Sequence, residues 1–336
     1  MDSTPNASAA RVTARPSGHE FVVEGRETLL EAGLKAGLKL DYGCGNGTCG
    51  LCRARVIEGD AAKVMAHDYP LSEADRQQGL ILLCAHSAGA GDLVIETQEA
   101  TDPSQIRPQE LTVRIRGVEQ VAPNTLLLHL QAPRQNRLRF FAGQSVTLAY
   151  SDGSDARRAY PIASCPCDER NLHFHVARDP DDALAAMLFA GVLRCGDSLS
   201  LRGPSGAFVL QDDGRPSAFI ACDTGFAPIR SLIEHAIAQD AAASLSLDWL
   251  ALRPDGHYLA NQCRAWAAAF DDFRYVAHTA ADPEPGAAAI VANLGGALRL
   301  DGRDIYVAGP AAFVSATVAR LEVAGVPPRQ VRAAAV

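Results

Sequence analysis

The stretch Asp41–Arg53, DYGCGNGTCGLCR, constrains this chain more than any other. Its cysteines, Cys44, Cys49 and Cys52, are spaced C-x4-C-x2-C, and Cys84 follows in Ile81-Leu82-Leu83-Cys84. Four thiolates at this spacing suit a 2Fe–2S cluster. Gly43, Gly45, Gly47 and Gly50 crowd the same loop. A loop wrapped round an inorganic cluster needs positive φ and close backbone approach, which glycine supplies without steric cost. With so little side-chain bulk, backbone N–H groups can turn toward the sulfurs and help set a reduction potential. Two other readings compete. Four cysteines also satisfy structural zinc, although such sites usually pair cysteines two to four residues apart, twice over. A disulfide pair needs an oxidising compartment.

The chain has 336 residues, too many for one small cluster domain and enough for two or three domains. A hydrophobic fraction of 48% supports real cores. The net charge of −8, with no basic stripe, argues against nucleic-acid binding and fits a soluble protein that docks to another protein. Cys165, Cys167, Cys195, Cys222 and Cys263 are scattered, as buried thiols in a reducing compartment would be. The N-terminus lacks a basic-then-apolar signal pattern, and no apolar run is long enough to span a membrane. Cytoplasm is the expected location.

Residues 1–10 are small and polar and read as a disordered tail. Residues 11–99 read as a small α+β domain. It has a hairpin around Pro16-Ser17-Gly18, a helix opened by the capping box Thr28-Leu29-Leu30-Glu31 and closed by Gly37, and then the cysteine loop. A strand at Arg53–Glu58, a short helix from Ser72 and a strand at Leu93–Thr97 complete it. Residues 100–109 form a proline-containing linker. In residues 110–212, short runs at Leu111–Arg116, Thr125–Gln131, Gln144–Tyr150, Leu172–Arg178 and Ser198–Arg202 predict an antiparallel barrel, with a helix at Ala183–Ala190. Residues 213–336 alternate strand and helix, as an open parallel sheet does, and ligands then sit at the carboxyl ends of the strands.

These features resemble a known family. The barrel carries Arg158-Ala159-Tyr160, an R-x-Y, followed later by Gly203-Pro204-Ser205-Gly206; the βα region carries Thr224-Gly225-Phe226-Ala227-Pro228. Together they resemble the ferredoxin–NADP reductase superfamily. With the cysteine domain in front, the layout is similar to single-chain oxygenase reductases of the CDP-6-deoxy-glucoseen reductase-like and methane or phenol oxygenase reductase group. The resemblance implies a β-grasp ferredoxin domain, an antiparallel flavin-binding β-barrel and a Rossmann-like nucleotide-binding domain. It implies a 2Fe–2S cluster on Cys44, Cys49, Cys52 and Cys84, with FAD, with NAD(P)H as donor and with an oxygenase or hydroxylase component as redox partner. Carried over, Arg158 binds the flavin pyrophosphate and Tyr160 stacks on the ring; Pro161, Ser164 and His175 lie near the flavin motif. By the same resemblance Asp223, Thr224, Gly225, Pro228, Gly309 and Pro310 border the nicotinamide pocket. Arg253, after the second strand, either meets the adenosine side or caps the strand in solvent. No residue is required as acid or base for hydride transfer.

Five positions depart from the family pattern. Pro161 replaces the Ser or Thr whose hydroxyl would reach flavin N5, and proline has no N–H either. Asp179-Pro180-Asp181-Asp182 replaces a glycine-rich phosphate loop; carboxylates there repel a pyrophosphate unless they face away. Asp223 replaces a glycine, Ala308 replaces a cysteine, and the chain ends Ala335-Val336 without an aromatic. The alternative expectation is therefore an electron carrier that takes electrons from another donor, or uses the cluster alone, without turning over NAD(P)H.

Overall fold

The computed structural model describes residues 9–133, 137–150, 156–168, 170–211, 214–239, 244–297, 300 and 302–336. Packing divides the chain into two units, Met1–Ile106 with Pro133–Arg139, and Arg107–Ala132 with Phe140–Val336.

The first unit holds β1 (Ala10–Arg15), β2 (Glu20–Val23), α1 (Leu29–Lys35), β3 (Arg53–Glu58), β4 (Ala61–Lys63), α2 (Glu73–Gln77), β5 (Leu80–Leu82), β6 (His86–Ala88) and β7 (Leu93–Glu96). Its main sheet runs β2-β1-β7-β3-β5, with β1 and β7 parallel, which is the expected β-grasp arrangement. The predicted capping box forms, Thr28 accepting from Glu31 N–H, and the short helix expected from Ser72 opens on a second one, Ser72 accepting from Asp75 N–H. Alternating apolar residues of β1, Val12 and Ala14, meet Leu29, Leu30 and Ala32 of α1 in a core that also takes in Leu82, Leu83, Leu93 and Ile95. Of the predicted tail, residues 1–8 lie outside the described residues, and Ala10 already belongs to β1.

The second unit begins with β8 (Gln109–Ala122), β9 (Thr125–Gln131), β10 (Ser145–Ala149), β11 (Arg157–Pro161), β12 (Asn171–Ala177), α3 (Ala183–Phe189) and β13 (Ser198–Ser205). These six strands form a barrel-like antiparallel sheet in the order β11-β10-β13-β8-β9-β12. Beyond β11, Ala163 N–H donates to His173 O of β12 at 2.8 Å and ties the two edges together. Strand β11 is absent from the sequence reading, because Arg157, Arg158 and Ala159 are all exposed and give no apolar alternation. It forms because β10 offers an edge to pair with, register Val146 to Tyr160 and Leu148 to Arg158.

The unit continues with β14 (Ser217–Cys222), α4 (Phe226–Ala238), β15 (Leu245–Ala251), α5 (Ala260–Ala269), β16 (Phe273–Thr279), α6 (Pro283–Ala297), β17 (Asp304–Gly309), α7 (Ala311–Val323) and β18 (Val331–Ala335). The parallel sheet has the order β16-β15-β14-β17-β18, so strand order reverses between β14 and β17. Helix α6 escaped sequence reading because Pro283, Pro285 and Gly286 look like breakers. Both prolines lie in its first turn, where their missing N–H groups cost nothing. Gly286 lets the helix pack close to Leu250, whose side-chain end would have to shift to admit a Cβ.

The expectation of five further buried thiols is corrected. Cys222 and Cys263 are buried, but Cys195 is exposed, and Cys165 and Cys167 are joined to each other.

Candidate redox centre and flavin–nucleotide pocket

The cysteine loop leaves α1 and turns back into β3. Gly47 has φ +82° and a Cβ there would come within 2.4 Å of His67; Gly50 has φ +71° and a Cβ would meet the Tyr69 ring at 2.1 Å. Both positions therefore need glycine, and Tyr69 N–H donates to Gly47 O at 2.9 Å to close the clamp. Cys84 comes from a buried turn, Leu83–Ala85, seated by Leu83 N–H on Cys52 O at 2.9 Å.

The sulfurs gather as two pairs. Cys44 N–H donates to Cys49 Sγ at 3.4 Å, and Cys49 N–H donates to Cys44 Sγ at 3.4 Å. Thr48 N–H reaches Cys44 Sγ at 3.3 Å, and Leu51 N–H reaches Cys49 Sγ at 3.5 Å. Cys52 and Cys84 Sγ lie 3.3 Å apart, close enough to share a proton. Burial pushes the Cys44 thiol up, but hydrogen bonds from Thr48, Asn46 and Cys49 outweigh it and bring it down to about 6. The shared hydrogen bond lowers Cys52 and raises Cys84. Among the described residues no three His, Cys, Asp or Glu side chains converge on one metal ion. Two sulfur pairs, one partly exposed and one buried, with N–H donors already turned to the outer pair, instead fit a binuclear cluster held by four thiolates.

In the second unit the reversal of strand order brings two sequence-distant turns together. Asp223–Gly225 forms one short helical turn after β14, and Gly309 ends β17 with Pro310 after it. A Cβ on Gly225 would come within 2.3 Å of Ala308 O and 2.6 Å of Gly309 Cα, so the two turns touch along their backbones. Asp223 has φ +48°, a conformation that the replaced glycine would adopt freely. Its carboxylate accepts from Leu252 N–H at 3.0 Å and so faces the loop after β15 rather than the turn's open side. Burial raises its pKa, while Leu252 N–H and the nearby Arg253 and His257 oppose the shift. Arg253 itself is exposed beside this carboxylate.

A pocket of about 420 Å³ opens in the same unit, lined by Gly143, Pro161, Ser205, Gly206, Pro228 and the last residues of the chain, Arg332–Val336. Strand β18 supplies Arg332 and three alanines to this wall, and Val336 follows them. Of the predicted flavin residues Pro161 lines this pocket, and of the predicted nucleotide residues Pro228 does. Ser145 and Phe208 were missed; only the tertiary fold shows that they face the pocket.

Arg158 and Tyr160 are both engaged by the aspartate-rich segment. Arg158 Nη2 lies 3.1 Å from Asp179 Oδ2, in a half-exposed ion pair. Tyr160 is 6% exposed and its hydroxyl donates to Asp182 Oδ2 at 2.5 Å. Burial, then Asp182, raises the tyrosine pKa. Asp182 also caps α3 through Ala185 N–H at 2.9 Å. Of the three carboxylates, then, Asp182 turns inward, Asp181 faces solvent and Asp179 holds the arginine.

Ser164 and His175 lie instead where the barrel-like sheet meets the parallel sheet. Ser164 O accepts from Ser231 Oγ of α4 at 2.7 Å, and its own Oγ accepts from His173 N–H at 3.2 Å. His175 is 4% exposed and shares a 2.8 Å hydrogen bond with the Tyr258 hydroxyl. Its pKa is lowered well below the ordinary value by burial, with Arg230 adding to the effect.

The sequence matches three family models in this order: a 2Fe-2S iron-sulfur cluster binding domain over residues 12–88, an oxidoreductase FAD-binding domain over 112–210 and an oxidoreductase NAD-binding domain over 219–319. It is 30% identical to the toluate 1,2-dioxygenase electron transfer component of Pseudomonas putida, over 90% of each chain. The chain belongs to the iron–sulfur flavoprotein reductases. It moves electrons from NAD(P)H through FAD to a 2Fe–2S centre. It is also 35% identical to the reductase subunit of an aromatic O-demethylase from Amycolatopsis, over 68% of this chain and 69% of that one. A crystal structure of a cytochrome P450 reductase from Amycolatopsis covers 97% of this chain and 98% of its own, with TM-score 0.61 and 28% identity. Phthalate dioxygenase reductase shares the fold over 70% of each chain, with TM-score 0.55 and 21% identity.

The pocket can be tested for fit to the expected flavin. The pocket is open, its walls are mostly glycine, proline and small side chains with Phe208 and Arg332 at its side, and Gly143 (φ +89°) cannot carry a Cβ without meeting Phe208 O at 2.3 Å. Arg158, the expected pyrophosphate residue, does not line this pocket and is held in an ion pair that solvent reaches.

Proposed function

We propose that this chain is the reductase component of an oxygenase or hydroxylase system, working in the cytoplasm. The observation that carries the reading is a pocket shared by Pro161 of β11, Pro228 at the first βα turn and the terminal strand. One residue from the barrel motif and one from the βα motif line it together, which supports placing two cofactors there for hydride transfer. FAD supplies the conversion of a two-electron hydride into single electrons, and the cluster supplies a one-electron carrier.

The chain's own groups place these cofactors and shield them. Arg158 offers a planar fork to the pyrophosphate once Asp179 releases it. Pro161 and Pro228 form rigid walls of the pocket. Thr224, Gly225, Gly309 and Pro310, at the reversal of strand order, border the nicotinamide, and the absence of a Cβ at Gly225 keeps the two turns in contact. Cys44, Cys49, Cys52 and Cys84 hold the cluster. Support for an oxygenase partner comes from the dioxygenase and demethylase systems of the relatives.

The test is anaerobic titration of the purified protein with NADH and then NADPH, following the visible spectrum and the electron paramagnetic resonance of the reduced cluster. Immediate flavin bleaching with a cluster signal is expected. Flavin that stays oxidised with both nucleotides would sink the proposal. It would favour the carrier reading, for which the Arg158–Asp179 pair is the specific observation.

A further inference from the structure

The segment after β11 runs Ile162-Ala163-Ser164-Cys165-Pro166-Cys167. Cys165 and Cys167 are joined by a disulfide across Pro166. A bridge two residues long removes little freedom from an unfolded chain, so it adds little as a structural staple. In a reducing compartment such bridges are usually transient, catalytic or sensing.

The two sulfurs have different surroundings. Cys167 is exposed, and Cys165 is buried. Cys165 Sγ accepts from Cys167 N–H at 3.2 Å and lies 3.8 Å from His235 Nδ1 on α4. Its backbone N–H donates to the Glu234 carboxylate. The neighbouring Ser164 O accepts from Ser231 Oγ at 2.7 Å. The C-P-C turn is thus seated on one face of α4, through Ser231, Glu234 and His235, with one sulfur presented to solvent and the other beside an imidazole.

We propose that Cys165 and Cys167 form a thiol–disulfide exchange site for low-molecular-mass thiols, distinct from the cluster and the flavin pocket. A thiolate attacks Cys167 Sγ, the exposed sulfur. A new bond forms between the two, the Cys165–Cys167 bond breaks, and Cys165 departs as a thiolate beside His235. A second thiolate attacks the outer sulfur of this mixed disulfide, and Cys167 departs as a thiolate. The balance is one protein disulfide and two thiols giving a protein dithiol and one small disulfide. The two departing thiolates take up the protons released by the two attacking thiols. The imidazole lowers the barrier by hydrogen bonding to the departing Cys165 sulfur.

The holoprotein would be equilibrated anaerobically across a wide range of glutathione to glutathione disulfide ratios, acid-quenched, alkylated and digested with trypsin. The peptide spanning 159–170 carries both cysteines and separates bridged from doubly alkylated species by mass. A single reversible transition in the folded protein is expected. His235→Gln should slow its reduction by about 2- to 10-fold, the worth of one hydrogen bond. Cys167→Ser should leave Cys165 singly alkylated and the cluster spectrum unchanged, which guards against loss of fold as the cause. A peptide doubly alkylated at every ratio would overturn the proposal. So would a bridge that resists glutathione until the protein is denatured, since that is the behaviour of a structural disulfide.

Discussion

Substituting Asp179 by Asn should tighten FAD binding. Arg158 can reach a pyrophosphate only by leaving Asp179, 3.1 Å away. Both partners are substantially exposed, with side chains 46% and 34% accessible, so the pair is worth about 0.2–1 kcal/mol. A carboxylate left roughly 4–8 Å from a phosphate charge adds a repulsion of about 0.5–1 kcal/mol in water. Removing the charge should therefore improve affinity by about 0.7–2 kcal/mol, or roughly 3- to 30-fold. Asn retains the Oδ1 that accepts from Asp181 N–H at 2.9 Å, so the turn should persist. The assay is quenching of flavin fluorescence on titrating apoprotein into FAD, at several salt concentrations, with Glu119→Gln as an exposed-charge control. The advantage of the variant should shrink as salt rises. Unchanged or weaker binding by Asp179→Asn would refute the reasoning, because it would mean that Asp179 holds Arg158 ready for the pyrophosphate.

Further outcomes follow from the same structure. Cys84→Ser should lose or alter the cluster, read as bleaching or a shift of its visible bands; retention of an unaltered spectrum would remove Cys84 from the ligand set. Asp182→Ala deletes both the cap of α3 and the acceptor for the buried Tyr160 hydroxyl, and should cost about 2–4 kcal/mol, measured by denaturant unfolding of the apoprotein. Burial, with Arg230 and His129 adding to it, lowers His173 from 6.5 to about 4. A depressed folded pKa means that stability is fully present above pH 6.5 and is lost as pH falls toward 4, by at most about 3 kcal/mol. His173→Gln should flatten that part of the Tm profile, and an unchanged slope would contradict the assignment.

Local chemistry made much of the molecule legible in advance. The cysteine spacing with its glycines, the capping box at Thr28, the helix start at Ser72 and the βα rhythm after Ser217 each depend on residues close in sequence, and the fold realises them nearly in place. The elements that escaped have no such local signature. Strand β11 has an exposed, arginine-rich face, α6 opens on prolines, and β18 is largely alanine. Each is held by a neighbour: β10, β15 and β17 in turn.

The sequence by itself determined the order of domains, four cysteines at a cluster spacing and the R-x-Y, because residue identity and short spacing carry that information. Only the tertiary structure decided what those groups meet. It turned Asp182 inward to Tyr160 and set Asp179 on Arg158. It moved Ser164 and His175 onto contacts with Ser231 of α4 and with Tyr258 before α5, and it brought the terminal strand to the pocket that Pro161 and Pro228 share. The physical reason is that pairing and burial are settled between segments far apart in the chain, where strand register and the demand for hydrogen-bond partners leave one arrangement.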